Sequence, residues 1–222
     1  CIDEILQNSH ASSIRAVGMA TFVGNFLGVD AQNVPLTPVY TYADSQPIAE
    51  CGLLRDEVDE SALLQRTGCR IHTAYQPARL LWLRKNYKLV FDRVDCWLDF
   101  ATYCYRHWFG RNVSSTFSVS SWHGLLNREM LLWDAGLCSF LEVDVSQFSL
   151  LSDYDYTQIL LSANYASRWR KLHNVPFYLA VGDGAAANIG SGAVTDGQIA
   201  LTIGTTAALR VVTDNVHAPV PA

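Results

Sequence analysis

The feature that most constrains the fold is the stretch "FYLAVGDGAAANIGSGA", residues 177–193. Its short apolar run is typical of a buried strand, and it leads into the turn Gly182-Asp183-Gly184. The small residues that follow are compatible with a closely packed helix. Because strands that alternate with helices are characteristic of α/β folds, the stretch predicts an α/β protein with Asp183 at the carboxyl end of a strand.

Two roles for Asp183 are consistent with this position. Ligands of open α/β sheets bind outside the carboxyl ends of the strands, where a carboxylate can take a proton from a substrate hydroxyl as a general base. Alternatively, the aspartate only caps the helix that follows it. Taken alone, the residue favours the cap.

A second glycine turn, Gly204-Thr205-Thr206, joins two predicted strands, "QIALTIG" and "AALRVVT". Backbone N–H groups and hydroxyls in such a turn can bind phosphate oxygens, although an ordinary β-hairpin is the simpler interpretation of the turn alone. The turn is no Walker motif, because the lysine and its spacing are missing. A base and a phosphate turn on adjacent strands together predict phosphoryl transfer to a hydroxyl group.

A nicotinamide-dependent oxidoreductase is the alternative enzyme class for a glycine-rich turn. The glycines fall at positions 182, 184, 190 and 192. The dinucleotide fingerprint G-x-G-x-x-G would require a further glycine at position 187. The spacing therefore argues against this alternative.

The rest of the chain predicts β-structure first and helices afterwards. Residues 14–42 are interpreted as a meander of strands with short turns. Helices are predicted over 59–68, 77–86, 92–110, 120–136 and 157–173, with Gly110 ending the third. The tryptophans on these helices (Trp82, Trp97, Trp122, Trp133 and Trp169) are expected in the core. The change of pattern near 171–176 predicts two domains, 1–172 and 173–222.

Composition excludes several classes of protein. Half of the 222 residues are hydrophobic and 17% are charged, which is typical of a globular chain. The net charge of -5, without a block of Lys and Arg, argues against nucleic-acid binding. No apolar run is long enough to cross a bilayer. The six cysteines form no C-x-x-C pair and the six histidines no H-E-x-x-H pattern, so no protein-bound metal site is predicted.

Four collinear segments resemble the FGGY family of carbohydrate kinases. Residues 28–44 are similar to the family's "D-x-x-G-x-P-L-x-P-x-x-x-W-x-D" region, and residues 66–84 to its "T-G-x-x-x-H-x-x-Y-x-x-x-K-L-x-W-L" region. Residues 113–134 are similar to its "D-x-S-x-A-S-x-T-G-L" and "W-D" stretch. Residues 182–211 resemble the opening of its second domain. The resemblance covers nearly the whole chain and is nearest the gluconate-kinase-like or xylulokinase-like branch.

This resemblance implies the actin-like ATPase (ribonuclease H-like) fold, with two α/β domains, a central cleft and an incomplete second domain. It implies a cytoplasmic enzyme, with a homodimer left open, that uses ATP and Mg²⁺ to phosphorylate a sugar or a gluconate-like sugar acid. Asp183 matches the catalytic base, and Gly204, Thr205 and Thr206 match the turn that contacts the ATP phosphates. The matches to sugar-contacting residues are Phe22, Gly24 and Tyr75.

The departures from the family pattern concern the sugar and the nucleotide. Val23-Gly24 replaces a pair that often carries a histidine, and Gln46 stands where the family has an arginine. The first phosphate loop, "D-x-G-T", whose aspartate would help to hold Mg²⁺, has no counterpart in these residues. We therefore expect a part of a longer protein, with little kinase activity by itself. The alternative is a catalytically inactive sugar-binding or regulatory relative of the same fold.

Overall fold

Short strands in parallel and antiparallel pairs form the framework of the computed structural model, which describes residues 2–8, 14–203, 207–215 and 218–220. The strands are β1 (Ala20–Thr21), β2 (Leu27–Val29), β3 (Cys96–Leu98), β4 (Ser115–Thr116), β5 (Leu126–Asn127), β6 (Leu132–Trp133), β7 (Leu151–Ser152), β8 (Thr157–Gln158), β9 (Phe177–Tyr178), β10 (Val181–Gly182), β11 (Ile199–Ile203) and β12 (Ala207–Val211). Parallel pairs are β1–β10 and β4–β7; antiparallel pairs are β2–β3, β5–β6, β8–β9 and β11–β12.

Helices occupy the segments between these strands. They are α1 (Ile2–Asn8), α2 (Ile48–Glu57), α3 (Glu60–Thr67), α4 (Gln76–Asn86), α5 (Lys88–Phe91), α6 (Phe100–Phe109), α7 (Phe117–Ser120), α8 (Ala135–Phe140), α9 (Ala163–Arg168) and α10 (Asp183–Gly190). Single 3₁₀ turns lie at Ser121–His123, Val145–Gln147 and Arg170–Leu172. None of the described helices is both long enough and apolar enough to span a bilayer.

The ends of several helices follow the local signals in the sequence. Asp59 caps α3 by accepting a hydrogen bond from the Ala62 N–H at 3.0 Å, and Gly68 ends this helix at φ 72°. Gly110 ends α6 at φ 64°, as predicted. The predicted helix over 59–68 is therefore confirmed. The predicted strands on either side of residues 204–206 are also confirmed, as β11 and β12.

Three long helix predictions are wrong in extent. Within 92–110, residues Cys96–Leu98 form a strand, and the helix begins only at Phe100 because Asp99 caps it. Within 120–136, the left-handed backbone of Gly124 and Leu131 breaks the chain into short turns and strands. Within 157–173, only α9 and one 3₁₀ turn are helical. Short apolar runs do not distinguish buried strands from helices, which explains these errors.

Three apolar clusters form the core of the described residues. The first surrounds Trp97 and Phe26, and the second joins α6 to β9 through Tyr105, Phe109 and Phe177. The third, which is smaller, joins β2 to β3. The division into domains 1–172 and 173–222 stays a prediction, because the second cluster packs residues from both sides of this boundary together. Of the tryptophans expected in the core, Trp97 and Trp169 are buried, and Trp82 and Trp133 are half-buried. Trp122 is exposed, so its placement in the core was wrong.

Candidate active site

The parallel pair β1–β10 brings two distant parts of the chain to one edge of the structure. Thr21 of β1 is the partner of Gly182 of β10. The next residue along each strand is Phe22 and Asp183, respectively. Because parallel strands end at the same edge, the segment 22–25 and Asp183 leave the pair side by side.

Asp183 is exposed and is the first residue of α10. Gly182 occupies the N-cap position of this helix, so the capping alternative does not describe Asp183. Its carboxylate accepts a hydrogen bond from the Gly184 N–H at 2.7 Å, which fixes its orientation on the first turn. A negative side chain is favourable there because the first backbone N–H groups carry partial positive charge.

Side chains of the neighbouring strand and helix hold the end of β10. The Thr116 hydroxyl donates to the Ala180 carbonyl at 2.6 Å, and the Gly182 N–H donates to Ser118 Oγ at 3.1 Å. A Cβ atom at Gly182 would lie 3.0 Å from Val23 Cγ1. Glycine at this position therefore allows Val23, in the segment 22–25, to approach the strand that carries Asp183.

Asn25 stabilises the turn of the segment 22–25. Its side chain is 1% exposed; its Nδ2 donates to the Phe22 carbonyl at 2.6 Å, and its Oδ1 accepts from the Phe100 N–H at 2.8 Å. The rings of Phe22 and Phe100 have centroids 5.9 Å apart. Gly24 adopts φ 68°, a left-handed conformation that favours glycine. The segment is thus tied to the start of α6.

Arg79 of α4 also holds the segment 22–25 in place. This residue was not identified from the sequence as part of the site. Its side chain is 1% exposed, and its guanidinium donates to the Gly24 carbonyl at 3.1 Å and to the Thr41 carbonyl. Burial lowers the pKa of Arg79 to about 10, with Asp44 acting in the opposite direction. The family pattern places a lysine at this position, which was the available signal.

Tyr75 lies farther along the same wall, at the N-cap position of α4. Ala74 before it approaches Gly24, since a Cβ on Gly24 would be 3.5 Å from the Ala74 carbonyl oxygen. The tyrosine itself packs against Gly124 and Cys69, and burial raises its pKa to about 12. The structure therefore places Phe22 and Asp183 at the ends of paired strands. Gly24 lies against Tyr42 and Ala74, and Tyr75 against Gly124 and Cys69, so no contact joins these two residues to Asp183 among those described.

The predicted phosphate turn, Gly204, Thr205 and Thr206, lies outside the described residues. Its flanking strands are in place, with Ile203 opposite Ala207. Gln46, which stands where the family has an arginine, donates from its backbone and its side chain to Asp44. Within the described ranges, no three His, Cys, Asp or Glu side chains are grouped closely enough to bind a metal ion.

Comparison with known proteins identifies relatives of this arrangement. The model of the FGGY family of carbohydrate kinases, N-terminal domain, matches residues 1–190. Gluconokinase of Bacillus subtilis (strain 168) is 24% identical over 201 residues, which are 90% of this chain and 39% of that protein. Xylulose kinase of Escherichia coli (strain K12) is 25% identical over 194 residues, covering 86% of this chain and 39% of that protein.

A solved structure shows the same architecture. The crystal structure of gluconate kinase from Lactobacillus acidophilus superimposes with a TM-score of 0.89 at 21% sequence identity, covering 95% of this chain and 42% of that one. This likeness shows the actin-like ATPase fold of the sugar kinases, of which the described residues form the N-terminal part. The chain spans about two-fifths of the length of the relatives it matches.

Proposed function

The chain belongs to the FGGY family of carbohydrate kinases, and we propose that the whole protein transfers the γ-phosphate of ATP to a hydroxyl group of a sugar or sugar acid. A gluconate-like acid is the first choice, because gluconokinase of Bacillus subtilis matches this chain over 90% of its length. A xylulose-like ketose is the second choice, since xylulose kinase of Escherichia coli matches over 86%.

The observation that carries this proposal is the register of β1 against β10. This register supports the proposal because Asp183, whose side chain is exposed, follows β10 where Phe22 follows β1, within the loop 20–25 that the resemblance assigns to the sugar. In the proposed reaction the segment orients the acceptor hydroxyl, and Asp183 accepts its proton as the oxygen attacks phosphorus. The Gly184 N–H, bonded to the same carboxylate, keeps the base in place.

ATP would supply the phosphoryl group, and the Gly204-Thr206 turn would bind its phosphate oxygens. We assign Mg²⁺ to no side chain of these residues, because the described ranges contain no suitable cluster of ligands and the family's "D-x-G-T" loop has no counterpart here. No step of the proposal therefore depends on where the metal lies. For the same reason we expect these 222 residues alone to show little or no kinase activity.

The test follows ATP consumption and product mass for the full-length protein with sugar acids, pentuloses, hexoses and polyols. Asp183→Asn is compared with Asp196→Asn, an exposed aspartate in the loop beyond α10. Loss of a general base lowers the rate by about 10²–10⁴-fold, so Asp183→Asn should lose turnover with the preferred substrate while Asp196→Asn keeps it. Equal turnover in both variants would exclude Asp183 as the base.

A catalytically inactive sugar-binding relative is the second candidate. Phe22, Val23 and Gly24 have no polar side chain, whereas proteins bind sugars through a few precisely placed polar groups. This departure favours a relative that has lost the reaction. This candidate predicts sugar binding by calorimetry without turnover in either the native protein or Asp183→Asn. ATP-dependent phosphorylation of any member of the panel would exclude it.

A further inference from the structure

We propose that Arg210 is a further catalytic residue of this site, whose guanidinium binds the phosphoryl group as it passes to the hydroxyl held by Asp183. This inference rests on the proposed kinase function. It adds a residue of β12, beyond the predicted phosphate turn, to the residues that the family resemblance assigned.

The first support is the close contact between β12 and the first turn of α10. A Cβ atom on Gly184 would lie 2.9 Å from Arg210 Nε and 3.0 Å from both Cζ and Nη2. The guanidinium therefore occupies the space that any side chain at position 184 would need. Arg210 Nη1 donates to Thr202 Oγ1 at 3.2 Å across the hairpin, which braces the side chain in this position.

The second support is the distribution of charge around the base. The described elements that surround Asp183 are β1, β10, α7 and α10, together with the hairpin β11–β12. In their sequences, Asp183 and Arg210 are the only charged residues. A cation at the first turn of a helix is unfavourable unless an anion lies beside it. Asp183 supplies one negative charge, and a transferred phosphoryl group would supply more.

The third support is the distance that the reaction permits. An acceptor hydroxyl lies within about 3 Å of its base and within about 3.5 Å of the phosphorus it attacks. The phosphoryl group therefore passes within about 6 Å of the Asp183 carboxylate. Since Arg210 contacts the residue next to Asp183, a long arginine side chain can reach this volume.

In the proposed step Arg210 stabilises negative charge and takes no part in bond making or proton transfer. The bond between the γ-phosphorus and the ADP oxygen breaks, the bond between phosphorus and the sugar oxygen forms, and the hydroxyl proton passes to Asp183. Arg210 keeps its proton throughout. Its planar donors match the equatorial oxygens, on which negative charge is spread in the transition state.

Kinetics of the full-length protein test this role. Arg210→Gln should lower kcat by about 10²-fold, with KM for the sugar nearly unchanged, and Arg210→Lys should recover part of the loss. Gly184→Ala should lower kcat as well, because its methyl group displaces the guanidinium. Combining Gly184→Ala with Arg210→Gln should add little further loss. The controls are Gly190→Ala, on the same helix with open space around its Cβ position, and the exposed Arg93→Gln.

Binding provides a second measurement that does not depend on turnover. Calorimetric titration with ADP and with a non-hydrolysable ATP analogue measures the contribution of the γ-phosphate. Arg210→Gln should lower the affinity for the ATP analogue by about tenfold and leave the affinity for ADP unchanged, as expected for the loss of one charge-assisted contact. Equal affinities of native protein and variant for both nucleotides would overturn the proposal.

The outcomes separate this inference from the function on which it rests. Loss of turnover in Asp183→Asn, with Arg210→Gln and Gly184→Ala within about threefold of the native protein, would refute Arg210 and keep the kinase. Absence of phosphorylation by the native protein would refute the kinase itself. If Arg210→Gln fails to fold, Gly184→Ala and Arg210→Lys decide the question, because they retain the positive charge.

Discussion

Thr21 and Gly182 are partners in the parallel strands β1 and β10, although 160 residues lie between them in the chain. Their pairing sets Phe22 beside Asp183. It also places Val23 so close to Gly182 that a Cβ at position 182 would approach Val23 Cγ1 to 3.0 Å. The proposed sugar segment and the proposed base are therefore held by a single packing arrangement.

Ser118→Ala should disturb this arrangement at its anchor. Ser118 Oγ accepts the hydrogen bond of the buried Gly182 N–H, and an unpaired buried N–H costs about 1–3 kcal/mol. We expect a lower melting temperature and, in the full-length protein, a kcat reduced by about tenfold because the proposed base, Asp183, shifts. Ser167→Ala, which removes an exposed hydroxyl, should change neither quantity. An unchanged kcat in Ser118→Ala would show that the base does not depend on this anchor.

Asn25→Ala should affect sugar binding more than the chemical step. The change removes the hydrogen bonds to the Phe22 carbonyl and the Phe100 N–H, which we expect to cost about 2 kcal/mol of unfolding free energy. A loosened segment 22–25 should raise KM for the sugar by about tenfold with a smaller change in kcat. The control is Asn86→Ala, because the side-chain amide of Asn86 donates an exposed hydrogen bond to the Trp82 carbonyl. A fall in kcat alone would assign Asn25 to a different step.

Local features of the fold could be predicted from the sequence. Asp59 and Gly68 bound α3 by chemistry contained within a few residues, and Asp183 follows β10 and begins α10 as the glycine turn indicated. The β11–β12 hairpin is likewise a local pattern. These local signals placed Asp183 at the end of a strand, but by themselves they favoured a helix cap, and the family resemblance was needed to suggest a base.

Contacts between distant segments could not be predicted in the same way. Hydrophobic periodicity contains no information that residue 21 pairs with residue 182, and it could not show that Arg79 spans two carbonyl groups of separate loops. Cys96–Leu98 was predicted to be helical because its apolar residues also fit helical spacing. In the structure these residues form a strand because they pair with β2. The role of Arg210 depends on contact with Gly184, which is visible only in three dimensions.

Gly28→Ala and Gly52→Ala should change the unfolding free energy in opposite directions. A Cβ at the buried Gly28 would lie 2.6 Å from Val94 Cγ2 and 2.8 Å from Trp97 Cζ3, so overpacking should cost about 1–3 kcal/mol. The Cβ position at Gly52, within α2, has open space, and alanine there should gain about 0.5–1 kcal/mol through helix propensity. Urea unfolding measures both. A stable Gly28→Ala variant would mean that β2 and β3 separate without penalty.

His123→Phe should remove a pH-dependent loss of stability. The His123 ring is 3% exposed and stacks on Trp133 with centroids 5.7 Å apart. Burial lowers the pKa of His123 to about 4, against a smaller opposing effect of Asp99, so the folded protein holds the ring neutral. Below the unfolded value of 6.5 the unfolded chain binds the proton more readily, and stability falls as the pH decreases from 6.5 towards 4.

Between pH 7 and pH 5, the native protein should therefore lose about 2 kcal/mol more unfolding free energy than His123→Phe. Phenylalanine keeps an aromatic ring against Trp133 and cannot take up a proton, so the two proteins should differ in the pH dependence of stability. His173→Asn, a change at an exposed histidine, should retain the native slope. Parallel pH profiles for native protein and His123→Phe would mean that the folded state accommodates a charged ring beside Trp133.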